Sequence, residues 1–203
     1  KLFFASSSEI FGKSNNSPLN EQSPKSPRNS YGLSKLYATE AIQYFRNHHS
    51  IFCCSGILFN HESERRPENF VSRSITKQVT EVHLGLKNKI SLGNLNSFRD
   101  WGYAPDFTKS YPLILNHHLP DDYIIGTGKA HSVRDFLSFA CTIFDINYED
   151  FYELNKEFYR EAEKYPLLAD ISKIKKQLNW KPKTSFQDIV KIMIENDLKE
   201  LTS

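Results

Sequence analysis

The chain opens on a short apolar run, KLFFA, the pattern of a buried strand. Between Ser14 and Arg28 it is rich in Ser, Asn and Pro and has no apolar period, which predicts a surface loop. From Ser30 onward Leu33, Leu36, Tyr37, Ala41, Tyr44 and Phe45 recur at helical spacing, and the pattern fades at His48 and His49. IFCCSGILF then runs apolar almost throughout and predicts a second strand. Strand, helix and strand in this order predict a parallel βαβ unit buried on both faces.

Beyond Phe59 the pattern changes. NHESERRPENF reads as a charged loop, followed by a helix carrying Val71, Ile75, Val79 and Val82. KISLGN predicts a short strand, and RDWGYAPDFTKSYPLILNHH a loop entering a helix. DYIIGTG predicts another strand, and Ser132 with Asp135 forms a capping-box pattern opening SVRDFLSFACTIF. Phe151 to Tyr165 is polar and has no assignable pattern, and DISKIKKQLNW and SFQDIVKIMIENDLKEL close the chain as helices separated by KPKT. There is no internal repeat. A doubly wound sheet needs several βαβ units of about 30 residues each. Only one is legible, so the others are expected before Lys1.

Composition narrows the class. A chain of 203 residues suffices for one large domain, or one domain and a part. A hydrophobic share of 39% with 13% aromatics can build a core, which argues against wholesale disorder. The 26 basic and 24 acidic residues leave +2, no footprint for nucleic acid or an anionic membrane. No apolar run reaches the ~20 residues of a membrane helix. The opening, with apolar residues only at 2–5 before the hydroxyls, is not that of a secretory leader. Cys53, Cys54 and Cys141 are odd in number and form no CxxC pair. They read as reduced, buried thiols of a cytosolic protein, not a disulfide or zinc site.

Tyr31 and Lys35 lie one helical turn apart and leave the same face. A phenol is a poor base at neutral pH, but a neighbouring ammonium favours its phenolate, and the pair can then move a proton to or from an alcohol. Both residue types are common on helices, so the pair alone is weak. Ser6, Ser7 and Ser8 follow the first strand at its carboxyl end, where open α/β sheets bind ligands, and Glu9 comes next. The same residues also suit a solvated turn or a helix N-cap. Strand, serine cluster, Glu9, Tyr31 and Lys35 together are far more specific than any one piece.

With those residues assembled, the chain resembles the extended short-chain dehydrogenase/reductase family and, within it, the GDP-mannose 4,6-dehydratases. ASSSEIFGK is similar to that family's ASTSELYGK, and SYGLSKLYA to PYGxxKLYA. GILFNHESERRPENFVSR is similar to GILFNHESPRRGxNFVTR, SLGNLNSFRDWGYAPDF to SLGNLDAxRDWGHAKDY, and QLNWKPKTSF to KLGWKPxxxF. The resemblance covers essentially the whole chain. It implies an α/β fold: the C-terminal part of an extended Rossmann doubly wound parallel sheet, plus a smaller α/β substrate-binding domain. Residues 1–60 would belong to the NADP-binding domain with the catalytic residues. Residues 61–203 would mainly bind the sugar nucleotide, with some segments returning to the sheet.

The implied reaction converts GDP-mannose to GDP-4-dehydro-6-deoxymannose, on the way to GDP-fucose or another deoxyhexose, with NADP as cofactor. On this resemblance Tyr31 takes the C4 hydroxyl proton and Lys35 holds the nicotinamide ribose. Ser7, where the family has Thr, bonds the C4 oxygen, and Glu9 removes the C5 proton and assists loss of the C6 hydroxyl. His61 and Arg66 match cofactor contacts, and Asn60 a position near the substrate diphosphate. Arg99 matches the diphosphate clamp, a guanidinium suited to bidentate phosphate binding. Arg160 and Glu163 match the nucleotide end, although REAEK lacks the family's Pro there. Lys77, Leu92 and Gly93 would wall the nucleotide pocket, and Asp100 and Trp101 would be structural.

Two other patterns are set aside. GTGKAH follows a strand and hints at a dinucleotide turn, but His131 occupies its last position. The pairs His48–His49 and His117–His118 fall at helix ends, where cations suit the macrodipole better than they suit a metal. The expected protein is cytoplasmic and metal-free, with neither membrane nor nucleic-acid partner, and a homodimer or homotetramer at full length. With the glycine-rich pyrophosphate turn absent, these 203 residues alone are expected to bind NADP poorly and turn over little. The competing readings are another NADP-dependent sugar-nucleotide dehydratase or epimerase, and an inactive sugar-nucleotide-binding remnant.

Overall fold

A computed structural model of the chain describes residues 1–12, 14, 17–160 and 165–203. In chain order come β1 (Leu2–Ser7), a 3-10 turn (Ser8–Ile10), α1 (Ser30–His49), β2 (Cys53–Leu58), β3 (Asn60–Glu62) and α2 (Val71–His83). Then follow β4 (Ile90–Leu92), β5 (Phe98–Arg99), β6 (Trp101–Tyr103), α3 (Ala104–Thr108), α4 (Ser110–Asn116) and β7 (Tyr123–Ile125). The last elements are β8 (His131–Ser132), α5 (Val133–Thr142), α6 (Tyr148–Phe151), β9 (Tyr152–Leu154), α7 (Ser172–Leu178) and α8 (Phe186–Thr202). They divide between two compact units.

The first unit comprises Lys1–His61, Asp100–Ala130 and Tyr165–Lys183. Its centre is the parallel sheet β1-β2-β7, with Leu2 opposite Cys53 and Gly56 opposite Tyr123. Side chains alternate across the strands. Cys54, Leu58, Tyr123 and Ile125 pack with Phe107, Ile114, Ile174 and Trp180 on one face, while Ile57, Phe59 and Ile124 pack with Ile10, Phe11, Leu19 and Ala169 on the other. The βαβ pattern is therefore real, and β2 is buried throughout. The first strand is less buried than its sequence predicts. Among the described residues it pairs with β2 alone, Leu2 is exposed, and only its carboxyl end is closed off.

Four further readings need correction. The Ser14–Arg28 loop is not all surface: Leu19 is fully buried and bridges Ala169, a contact between distant segments that no local pattern signals. NHESERRPENF contains β3, with Glu62 buried, and the RDWG segment contains β5 and β6 followed by two helices. The polar stretch after Phe151 contains β9. Each of these strands has two or three residues, too few for an alternation to be visible. Helix α1 forms as read; its apolar stripe faces largely outward, and Tyr37 is 78% exposed. Only Gly32 and Thr39 are fully buried on that helix. Thr39 shares a 2.7 Å hydrogen bond with Ser6 on β1 and donates to the Lys35 carbonyl at 2.8 Å.

The second unit comprises Glu62–Arg99, His131–Lys164 and Thr184–Ser203. Helices α2, α5 and α8 pack together, burying Ile75, Val79, Phe136, Leu137, Ile189, Val190, Met193 and Ile194. The capping box forms as read: Ser132 accepts from the Asp135 amide, and Asp135 accepts from that of Ser132. Parallel pairing joins β4 to β9, and antiparallel pairing joins β5 to β8. All three cysteines are buried thiols. Among the described residues no helix is long and apolar enough to cross a membrane.

A buried ion pair ties α2 to α8, with Arg73 2.8 Å from Asp197. Burial pushes the Asp197 carboxyl up to about 6 from an ordinary 3.8, against the pull of Arg73. The folded protein thus holds this proton more tightly than the unfolded chain. Its stabilising effect is complete below pH 3.8 and is lost as pH rises through about 6. A displacement of that size is worth up to ~3 kcal/mol. The stability of the wild type relative to Asp197→Asn, which cannot titrate, should therefore fall across that window. Urea melts at several pH values measure it, and a constant difference would contradict the assignment.

Candidate active site

In the first unit the carboxyl end of β1 meets the amino end of α1. Ser7 caps the 3-10 turn, its hydroxyl oxygen accepting from the Glu9 amide at 3.2 Å. Both sequence readings of the serine row are therefore compatible: capping uses a lone pair of Ser7, and its O–H can still be donated. On α1, the Lys35 ammonium donates to the Ala5 carbonyl at 2.8 Å and lies 5.7 Å from the Tyr31 ring centre. Helix and strand end are thus pinned together through the lysine itself. Tyr31 is 53% exposed, and no described residue hydrogen-bonds its hydroxyl.

Glu9 is held from α1. Its Oε2 accepts from Asn29 Nδ2 at 3.0 Å and lies 3.7 Å from Arg28 Nε. Asn29 also caps α1, its Oδ1 accepting from the Gly32 amide at 2.7 Å. Sequence reasoning missed Asn29, although an Asn directly before a helical run is a readable N-cap signal.

Gly32 has a steric reason. A Cβ there would stand 2.6 Å from the Glu9 carbonyl oxygen and 3.2 Å from Pro27 Cβ. Alanine gains up to ~1 kcal/mol of helix propensity over glycine, but forcing atoms into a packed contact costs ~1–3 kcal/mol. Gly32→Ala is therefore expected to lose ~1 kcal/mol net, read as a lower urea midpoint. A raised midpoint would show the contact to be looser than the structure has it.

Asn60 and His61 stand at the start of β3. The His61 Nδ1 lies 2.8 Å from the Phe59 carbonyl. A carbonyl can only accept, so Nδ1 carries a proton and donates it here. The ring packs on Phe107. The GTGKAH turn is engaged elsewhere in the unit: Thr127 and Gly128 donate their amides to the buried Asp100 carboxylate at 2.8 and 2.9 Å, as does Ala169 at 3.1 Å. Burial raises the Asp100 carboxyl and these bonds oppose the rise. Asp100 thus ties β6 to two distant segments.

The second unit carries the remaining candidates. Arg66 Nε stands 3.2 Å from the buried Glu62 carboxylate, and its guanidinium stacks 3.6 Å from the Phe70 ring centre. Lys77 is engaged by Glu68 in a short hydrogen bond that raises the lysine and lowers the glutamate. Gly93 and Asn94 meet the segment 158–160. A Cβ on Gly93 would lie 2.3 Å from the Phe158 carbonyl oxygen, and the Arg160 carbonyl accepts from Asn94 Nδ2 at 3.0 Å. Leu92 is buried, so its side chain belongs to the core. Arg99 lies on β5 opposite His131 on β8. Glu163 lies outside the described residues.

A family model described as GDP-mannose 4,6 dehydratase matches residues 1–193. GDP-mannose 4,6 dehydratase 2 of Arabidopsis thaliana is 41% identical over 199 residues, which cover 98% of this chain and 53% of that protein. The Homo sapiens GDP-mannose 4,6 dehydratase is 38% identical over 216 residues, covering 98% and 58%. The chain thus spans little more than half the length of these curated relatives. Among solved structures, RMD from Pseudomonas aeruginosa complexed with NADPH superposes with a TM-score of 0.90 at 20% identity, covering 98% of this chain and 66% of that one. The dTDP-glucose 4,6-dehydratase from Bacillus anthracis in complex with NAD gives 0.86 at 18%, covering 100% and 63%. These two establish a Rossmann-type α/β fold. With the family model matched along nearly its whole length, the chain belongs to the GDP-mannose 4,6 dehydratase family.

Proposed function

We propose that this chain carries the catalytic centre of a dehydratase that converts GDP-mannose to GDP-4-dehydro-6-deoxymannose and water. The observation that carries the reading is the junction of β1 and α1. There Ser7 and Glu9 on one side, and Tyr31 and Lys35 on the other, are joined by the Lys35–Ala5 and Asn29–Glu9 hydrogen bonds.

The donor set fits a nicotinamide cofactor. Lys35 gives one N–H to Ala5 and has two more for a ribose diol. His61 and Arg66 are the further contacts proposed for it, and NADP is the form proposed. When bound, that group supplies a reversible two-electron acceptor for the C4 hydrogen. The chain's own residues do the rest. Tyr31 takes the C4 hydroxyl proton. Ser7 donates to the C4 oxygen as it becomes a carbonyl. That carbonyl acidifies C5–H, and Glu9 removes the proton and gives it to the departing C6 hydroxyl, which leaves as water. C6 would then regain the hydrogen and electron pair first taken from C4, and C5 a proton of solvent origin by way of Glu9.

In the second unit Arg99 is proposed to hold the diphosphate; Asn60, in the first unit, is proposed as a further substrate residue. Leu92, Gly93, Lys77, Arg160 and Glu163 are proposed for the nucleotide end. The same reading makes the first unit the cofactor side and the second the sugar-nucleotide side. It further proposes a cytoplasmic homodimer or homotetramer feeding deoxyhexose synthesis.

The test is substrate discrimination by the native polypeptide, at whatever length its source makes it. Supplied with NADP, it should dehydrate GDP-mannose and leave UDP-glucose and dTDP-glucose unchanged. Turnover of either alternative in preference to GDP-mannose would overturn the substrate assignment.

A further inference from the structure

The two carboxylate oxygens of Glu9 are not equivalent. Both contacts to the side chain fall on Oε2: Asn29 Nδ2 at 3.0 Å and Arg28 Nε at 3.7 Å. Among the described residues no hydrogen bond reaches Oε1. The Glu9 side chain is 29% exposed, within reach of an approaching molecule. The residue that makes this distinction also starts the helix that carries Tyr31 and Lys35. Asn29 Oδ1 receives the Gly32 amide at 2.7 Å while its Nδ2 reaches Glu9. Gly32 in turn lets the Glu9 backbone approach that same first turn.

From this geometry we infer that Asn29 is a positioning residue for the elimination step, tying down Oε2 so that Oε1 is the atom that receives the C5 proton. The inference rests on the dehydratase reading above and deepens it. The two functions of Asn29 use different atoms. Its oxygen builds the helix start, and serine or aspartate could replace it there at little cost. Its N–H orients the base, and neither replacement can do that. Serine is too short to reach Glu9 while capping, and aspartate offers a second negative charge in place of a donor. A small misplacement of a reacting group can cost as much as ~10²-fold in rate.

The experiment compares Asn29→Ser and Asn29→Asp with the wild-type native polypeptide, supplied with GDP-mannose and NADP in deuterium oxide. Four quantities are read: kcat, KM, the thermal midpoint, and the rate at which solvent deuterium enters C5 of the product. Asn29→Ser should keep the thermal midpoint and KM, while kcat and C5 deuteration fall together by roughly tenfold. Asn29→Asp should also stay folded and fall further, because its carboxylate repels that of Glu9. A purely structural role would instead move the midpoint and leave C5 deuteration at the wild-type rate. Wild-type kcat in Asn29→Ser overturns the inference and leaves the dehydratase reading standing. A wild-type polypeptide that does not dehydrate GDP-mannose at all overturns that reading, and this inference with it.

Discussion

Replacing Tyr31 by Phe is expected to lower the turnover of GDP-mannose by about 10²- to 10⁴-fold, the range for losing a positioned acid–base group. The substitution removes one oxygen and nothing else that the fold uses. No described residue hydrogen-bonds that hydroxyl, and the ring is half exposed. Lys35 stays pinned to the Ala5 carbonyl, and Asn29 still caps the helix. The thermal midpoint and the affinity for GDP-mannose should therefore hold while kcat collapses. That split assigns Tyr31 to the chemical step, because a loss through unfolding or binding would move the other two quantities. A fall in kcat of less than about tenfold would mean that another group removes the alcohol proton.

The second large effect concerns stability. Arg73 is buried on α2, where it meets Asp197 at 2.8 Å, Glu200 at 2.6 Å and the Glu64 carbonyl. Arg73→Ala would leave Asp197, only 1% exposed, without its cation. Removing one member of a buried pair typically costs ~3–5 kcal/mol, because the remaining charge is neither solvated nor paired. Against a domain stability of ~5–15 kcal/mol, that is a large fraction. Trp101 and Trp180 both lie in the first unit, so tryptophan fluorescence reports on that unit. The far-UV signal includes α2, α5 and α8 of the second, and its transition should move to lower urea by more than the fluorescence transition does. Arg73→Met combined with Asp197→Leu should recover most of the loss, since an apolar pair of similar volume avoids the desolvation cost. An unshifted far-UV transition in Arg73→Ala would show that the pair contributes nothing.

What the sequence revealed follows from where local pattern decides structure. The β1-α1-β2 unit was legible because long apolar runs flank a helix of 20 residues. The capping box at Ser132 was legible because its partners are three residues apart. The catalytic candidates Ser7, Glu9, Tyr31 and Lys35 were legible as a spaced set. The short strands β3, β5, β6 and β9 were not, since pairing with distant segments creates them and two or three residues show no period. In α1 the periodicity reported the helix but not which of its faces meets the sheet, and Gly32 and Thr39 are its buried positions. Long-range polar contacts were invisible too. Asp100 bonds residues 27 and 69 positions away, and Asn29 reaches back 20 to Glu9. Contacts of that kind set the surroundings of Glu9, the proposed base, and only the folded chain shows them.

The central claim is that the β1–α1 junction runs an internal oxidation and elimination on GDP-mannose. Mass spectrometry of the product made by the native polypeptide with GDP-mannose and NADP in deuterium oxide tests it most directly. The account predicts a nucleotide sugar lighter by one water and carrying a single solvent deuterium at C5. A product of the substrate's own mass, epimerised without loss of water, would contradict it.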